Sequence, residues 1–413
     1  MLEFVNLEQF IRKTVNETRV FDIHTHLYSE DFKELLSWGI DEVLTYHYLI
    51  AELFRYKKDL KYDNFNKLSK SQKAELVWDT LFVKNTPITE ACRGVVTILK
   101  NLNIDPSEKN LNSIRKCYSG FSVNEFIDKV FTLSKVENVV MTNEPFDENE
   151  KQIWKTTGVT DSRFLPALRL DELVCNYEKN HDLFKSNGLN LDREPTKKSL
   201  MEIKDYLKKW IEIINPLYMA ISLPPDFGID ENRNNWTIFK ESVLPLSREY
   251  KIPIALMLGV KRGVNPSLGG AGDGIGKFNI NILEKIVYNN QDINFLVTML
   301  SRENQHELCV VSRKLKNMTI FGCWWFLNTP SIIKEITAER IELLGLTMIP
   351  QHSDARVIDQ LIYKWENSRN IIAEVLIEKY SDLLKSNWTI TEDDIIRDIK
   401  QILNGKHLFK NTS

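Results

Sequence analysis

Eight short apolar runs, parted by stretches of helical periodicity, narrow the fold of this 413-residue chain more than any other feature. They occupy 21–27, 138–142, 164–169, 218–223, 252–258, 295–300, 318–325 and 346–350. Near-continuous apolar runs of this kind suit parallel strands buried on both faces. Between most of them apolar residues recur at helical spacing, over 200–214, 236–250, 280–289, 305–316 and 330–344. Strand and helix in alternation predict an α/β protein, a (β/α)8 TIM barrel. A doubly wound open sheet is the alternative, but no GxGxxG follows a predicted strand.

The first interval breaks this rhythm. A leading helix over 2–15 and the first strand are followed, from 32 to about 130, by a nearly continuous helical pattern. Helices are predicted over 41–53, 71–82 and 89–99. The chain therefore divides into a leading helix and first barrel strand (1–27), a helical insertion (28–135) and the remaining barrel with its C-terminal helices (136–413). The glycine-rich stretch 259–276 reads as a long loop after the fifth strand.

Composition serves to exclude partners. A net charge of -3 offers no electrostatic case for nucleic acid. No apolar run reaches the roughly 20 residues that cross a bilayer. The start MLEFVNLEQFIRKTV lacks the marks of a signal peptide, and the five scattered cysteines form no CxxC pair. A cytoplasmic protein with reduced thiols is expected. The oligomeric state stays open, a homo-oligomer included.

In such a barrel the chemistry lies at the C-terminal strand ends. The first end carries His24 and His26, and alternate residues on a strand face one way, about 7 Å apart. The last end carries Asp354. Two imidazoles and a carboxylate suit a divalent ion such as Zn²⁺, and three protein ligands leave positions open for substrate. Other ends add cations: Arg169, Arg302 and Arg356, with Lys261 or Arg262 as further candidates. The planar arginine fork matches a carboxylate, so a substrate with a carboxylate and several hydroxyls would use this site well. His47 and Tyr48, on an inserted helix, are candidates for acid/base or hydroxyl-binding groups. Of Trp324 and Trp325, strand alternation allows one to face the pocket.

Taken together, FDIHTH (21–26), TYHY (45–48), ACRG (91–94), ALRLD (167–171), MLSRENQH (299–306), FGCWW (321–325) and QHSDAR (351–356) resemble uronate isomerases, a divergent branch of the amidohydrolase superfamily. The resemblance spans 21 to about 380. It implies interconversion of D-glucuronate with D-fructuronate and of D-galacturonate with D-tagaturonate. It also implies a metal, usually zinc, on His24, His26 and Asp354, and a hexuronate site lined by His47, Tyr48, Arg169, Trp325 and Arg356. Hydrolytic relatives often add a lysine and two histidines to hold a second metal. Here the middle strand ends supply no histidine and His306 lies on the next helix, so one metal is expected. Asp354 is the candidate base, His47 and Tyr48 the proton donors, and Arg356 the group that stabilises the developing enediolate. The C-terminal arginine of some relatives has no clear counterpart in His407 to Lys410. A mononuclear metal-dependent hydrolase and a non-catalytic uronate-binding protein are the competing readings.

Overall fold

The computed structural model describes residues 4–409. Seven of the eight apolar runs supply parallel strands around a central core, and the glycine-rich stretch adds an antiparallel pair. The strands are β1 (Val20–Asp22), β2 (Val136–Val140), β3 (Phe164–Leu165), β4 (Leu168–Arg169), β5 (Met219–Leu223), β6 (Ile254–Leu258), β7 (Val260–Lys261), β8 (Gly274–Ile275), β9 (Phe295–Met299) and β10 (Met318–Ile320). One parallel ladder runs β1-β2-β3 and another β4-β5-β6-β9-β10. An isolated parallel bridge between Asn143 and Leu168 joins them.

Burial on both faces follows the period of two. Ala220, Ala255, Met257 and Leu296 turn inward and pack with Phe21, Ile23 and Val140. Their neighbours Met219, Ile221, Ile254, Leu256 and Val297 face the outer helices. Small inward residues on adjacent strands leave room for the larger ones opposite, which fills the interior as a core rather than a pore.

Several runs yield less strand than their apolarity suggests. The first stops at Asp22, so His24 and His26 stand on extended chain just beyond it. The 164–169 run breaks at Pro166, which has no N–H to donate. The 318–325 run ends at Ile320. The last run forms no ladder: Ile349 makes one bridge to Phe321. From there the backbone reaches β1 through Asp354 N to His24 O (3.2 Å) and His26 N to Ala355 O (2.8 Å).

The predicted 41–53 helix is two helices, Ile40–Leu44 and His47–Tyr56, parted by Tyr46 in extended conformation. His47 therefore opens a helix rather than riding a turn or two inside one. Helices Glu90–Asn101 and Val123–Ser134 of the inserted region pack on the long C-terminal helix Gln360–Lys385 in one hydrophobic cluster. The leading helix spans Phe4–Glu17; the predicted positions 2 and 3, and Lys410 at the other end, lie outside the described residues.

Gly322, just past β10, holds φ +66°, and a Cβ there would lie 1.7 Å from Cδ2 of the buried His352 ring. Gly322→Ala combines that overlap with a left-handed backbone. It should lower stability by about 2–4 kcal/mol, read as a lower denaturant midpoint at unchanged slope. An unchanged midpoint would mean that the segment can shift freely.

Candidate active site

His24 and His26 flank Thr25, whose own bonds tie the segment to β2. Thr25 N donates to Val140 O (2.8 Å), and Thr142 Oγ1 donates to Thr25 O (2.6 Å). The two imidazoles thus turn to the other side, toward Asp354. Tyr218 sets the tautomer of His24. Its hydroxyl donates its one proton to Ile23 O (2.8 Å), so at 3.1 Å it accepts from His24 Nδ1. His24 Nε2 is then a bare lone pair, 3.7 Å from Asp354 Oδ1. His26 Nε2 lies 3.5 Å from the same oxygen. Neither His24 Nε2 nor Asp354 Oδ1 has a hydrogen-bond partner, and both are buried.

Lone pairs facing one another in a dry site repel unless a cation lies between them. Ligands about 2.0–2.1 Å from a tetrahedral ion stand roughly 3.3 Å apart, close to these separations. His24, His26 and Asp354 are the group among the described residues that could hold a metal ion.

The triad opens into a small cavity at the strand ends. His47, Arg169, Trp324, Trp325 and Arg356 line it. Arg169 is held by Asp171 Oδ2 through Nε (3.0 Å) and Nη2 (2.7 Å), while Asp171 Oδ1 accepts from Ser222 N (2.7 Å). Arg356 Nη2 lies 3.3 Å from His26 Nε2. Burial pushes His24 down to about 3, with His26 adding to the shift; burial and then Arg356 push His47 down to about 3. The imidazoles enter neutral, as ligands and proton acceptors must.

No family model and no curated protein matches the chain. Solved structures do. A uronate isomerase from Bacillus halodurans C-125 is 46% identical, with a TM-score of 0.94 over 98% of this chain and 95% of that one. The chain belongs to the uronate isomerase family. A uronate isomerase from Thermotoga maritima (16% identity, TM-score 0.79, covering 98% and 97%) and a glucuronate isomerase from Caulobacter crescentus (12%, 0.76, covering 99% and 94%) share the fold.

Against the site expected from resemblance to uronate isomerases, the cavity gathers His24, His26, His47, Arg169, Trp325, Asp354 and Arg356. Tyr48 stands beside them, its ring 4.5 Å from that of His47. Arg302 does not reach the cavity. β9 ends at Met299, and a short turn carries Arg302 outward, where Glu335 takes its guanidinium at 3.0 and 2.8 Å. Both tryptophans line the cavity, because the strand has already ended and Trp325 holds φ +47°; strand alternation no longer applies. Tyr218 was not singled out from sequence. Its only signal is a phenol on the leading residue of a mostly apolar strand run.

The buried imidazoles also set a pH dependence. His24, His47 and His352 sit at about 3 and His26 well below its usual value, all chiefly through burial. An unfolded histidine titrates near 6.5. Between these values the unfolded chain binds more protons, so the imidazoles' contribution to stability falls as pH drops below about 6.5, while the buried carboxyls of Asp22, Glu150 and Asp359, raised to about 6 to 7 by burial, contribute with the opposite sign over part of that range. Each such imidazole contributes up to about 1.4 kcal/mol per pH unit. In metal-free protein, His47→Gln should therefore shift the change in unfolding free energy between pH 7.5 and 5.5 by about 1.4 kcal/mol toward stability at the lower pH, read from denaturant midpoints. An unchanged pH difference in the variant would mean that this ring charges within the fold.

Proposed function

We propose that the chain is a uronate isomerase, interconverting D-glucuronate with D-fructuronate and D-galacturonate with D-tagaturonate. One observation carries the reading. A chain 46% identical to a uronate isomerase joins unpartnered imidazole and carboxylate lone pairs to arginines in a single cavity at the strand ends.

His24, His26 and Asp354 would hold one divalent ion, and their nitrogen and oxygen donors suit Zn²⁺. When bound, the ion would supply positive charge to polarise the sugar oxygens. The remaining work falls to side chains. Aldose–ketose isomerisation moves a proton from C2 to C1 through a cis-enediol, while the carbonyl moves the other way. Asp354 takes the C2 proton and returns it to C1 on the same face. Its Oδ1 faces the imidazoles, which leaves Oδ2 for the base role.

Tyr48 and His47 manage the oxygens. Burial raises the Tyr48 phenol well above its ordinary value, so it stays protonated as a donor. His47 is neutral, and its Nε2 is buried without a partner. It can pass a proton between O1 and O2. Arg356 supplies charge as the enediolate develops. Arg169, fixed by Asp171, is a second cation for an acidic sugar, and the Trp324 and Trp325 rings wall off water.

Zinc-loaded protein mixed with each hexuronate in D₂O should yield the ketouronate of unchanged mass, followed by NMR. Absence of ketouronate from either sugar, with one metal bound, would remove the reading in favour of a hydrolase. Asp354→Asn should lower turnover by about 10²–10⁴-fold. Wild-type turnover with metal retained would dismiss Asp354 as the base.

A further inference from the structure

Two charged side chains lie buried behind the proton-transfer pair, and the catalytic scheme uses neither. Lys364, on the helix Gln360–Lys385, has a side chain 4% exposed; Glu90, the first residue of the helix Glu90–Asn101, has one 12% exposed. Lys364 Nζ lies 3.8 Å from Glu90 Oε1, beyond hydrogen-bond reach, and that oxygen has no hydrogen-bond partner. Removing two charges from water is expensive, and an ion pair without well-made bonds does not recover the cost. As a strut the pair is poor. The ammonium has aromatic neighbours instead. Its Nζ lies 5.1 Å from the centre of the Tyr363 ring and 5.9 Å from that of the Tyr48 ring, within the range of cation–π attraction.

Three helices are fitted together to make this contact. Tyr48 and Glu52 stand one turn apart on the helix His47–Tyr56, and Glu52 Oε2 accepts from Thr89 Oγ1 (2.7 Å). Thr89 in turn caps the next helix by accepting from Cys92 N (3.3 Å), so Glu90 begins beside the helix that carries Tyr48. Gly94, one turn after Glu90, meets Tyr363: a Cβ there would lie 2.8 Å from Cε2 of its ring. The glycine of the ACRG stretch thus lets this helix approach the C-terminal one closely. Gln360, one turn before Lys364, accepts from Arg356 N (2.9 Å), which ties the lysine-bearing helix to the 351–356 segment.

Resting on the isomerase reading, we infer that Lys364 is a positioning residue for proton transfer at the sugar oxygens: its ammonium holds the Tyr48 ring and steadies the negative charge that spreads into it as Tyr48 gives up its proton. In one turnover O1 takes the Tyr48 proton and O2 releases its own to His47. His47, whose ring centre is 4.5 Å from that of Tyr48, returns a proton to the phenolate, so protons and charge balance. A cation attracts a phenolate ring more strongly than a phenol ring. The help is therefore greatest in the transition state, where it raises kcat rather than lowering KM. Glu90 keeps the buried ammonium from standing alone.

The test uses zinc-loaded holoenzyme and D-glucuronate. Lys364→Met combined with Glu90→Gln removes both charges at similar volume, so neither is left buried by itself and the denaturant midpoint should not fall. Its kcat should drop by about 5–30-fold, the worth of one desolvated cation–π contact, with KM nearly unchanged. Lys364→Arg, which keeps the charge, should hold kcat within a few-fold of wild type. Wild-type kcat in the double variant overturns the assignment and leaves the isomerase reading intact. So does a rise in KM at unchanged kcat. A loss of kcat in Lys364→Arg as deep as in the double variant also overturns it, because packing rather than charge would then be at work. A wild type that does not convert hexuronate overturns both.

Discussion

Asp22 closes the first strand and joins three parts of the chain that are distant in sequence. Its Oδ1 accepts from Ser353 N (3.1 Å) and its Oδ2 from Trp365 Nε1 (2.8 Å). The carboxyl is fully buried, and burial raises it to about 6 despite these donors. A buried acceptor stripped of its donors costs about 1–3 kcal/mol, more when charged. The pairing therefore holds the first strand, the 351–356 segment and the long C-terminal helix in one register. His24 and His26 lie just after this carboxylate, and Asp354 just after its Ser353 partner. The geometry of the triad is thus inherited from a bond that no substrate touches.

That register creates an electrostatic problem at the cavity floor. His24 Nε2 and Asp354 Oδ1 are packed together, buried and without donors. Burial keeps the imidazoles neutral, and the positive charge of Arg169 and Arg356 beside them adds to that effect. A site of this kind is stabilised from two directions. A cation among the lone pairs relieves the floor, and an anion in the cavity relieves the arginines. A metal ion and an acidic sugar are complementary to the same excess, which is why the two binding events belong to one site.

Much of this was legible in the residues. Eight apolar runs indicated the α/β barrel, and HxH with a distant HSDAR indicated the triad, because such patterns express burial and ligand type directly. What escaped notice depended on where strands stop. Periodicity continues through 318–325 in sequence, but the backbone leaves the strand at Ile320, and Trp324 and Trp325 both enter the cavity. Arg302 carries the right charge at a predicted strand end, yet Glu335 on a neighbouring helix claims it. Tyr218 works through a proton count at one hydroxyl, which no residue pattern displays.

The segments that leave the strands are held as firmly as the strands. Trp325 and Asp354 both adopt positive φ (47° and 51°), a strain of about 1–3 kcal/mol each that persists only where surroundings over-determine the backbone. Those surroundings are visible. Buried Arg340 donates to Gly322 O and to Gln305 Oε1, each at 2.8 Å. Gln351 Oε1 accepts from Cys323 N at 2.7 Å, linking the two strained segments side by side. The proton-transfer end of the cavity is therefore pre-organised by bonds beneath it, with little left to adjust when substrate arrives.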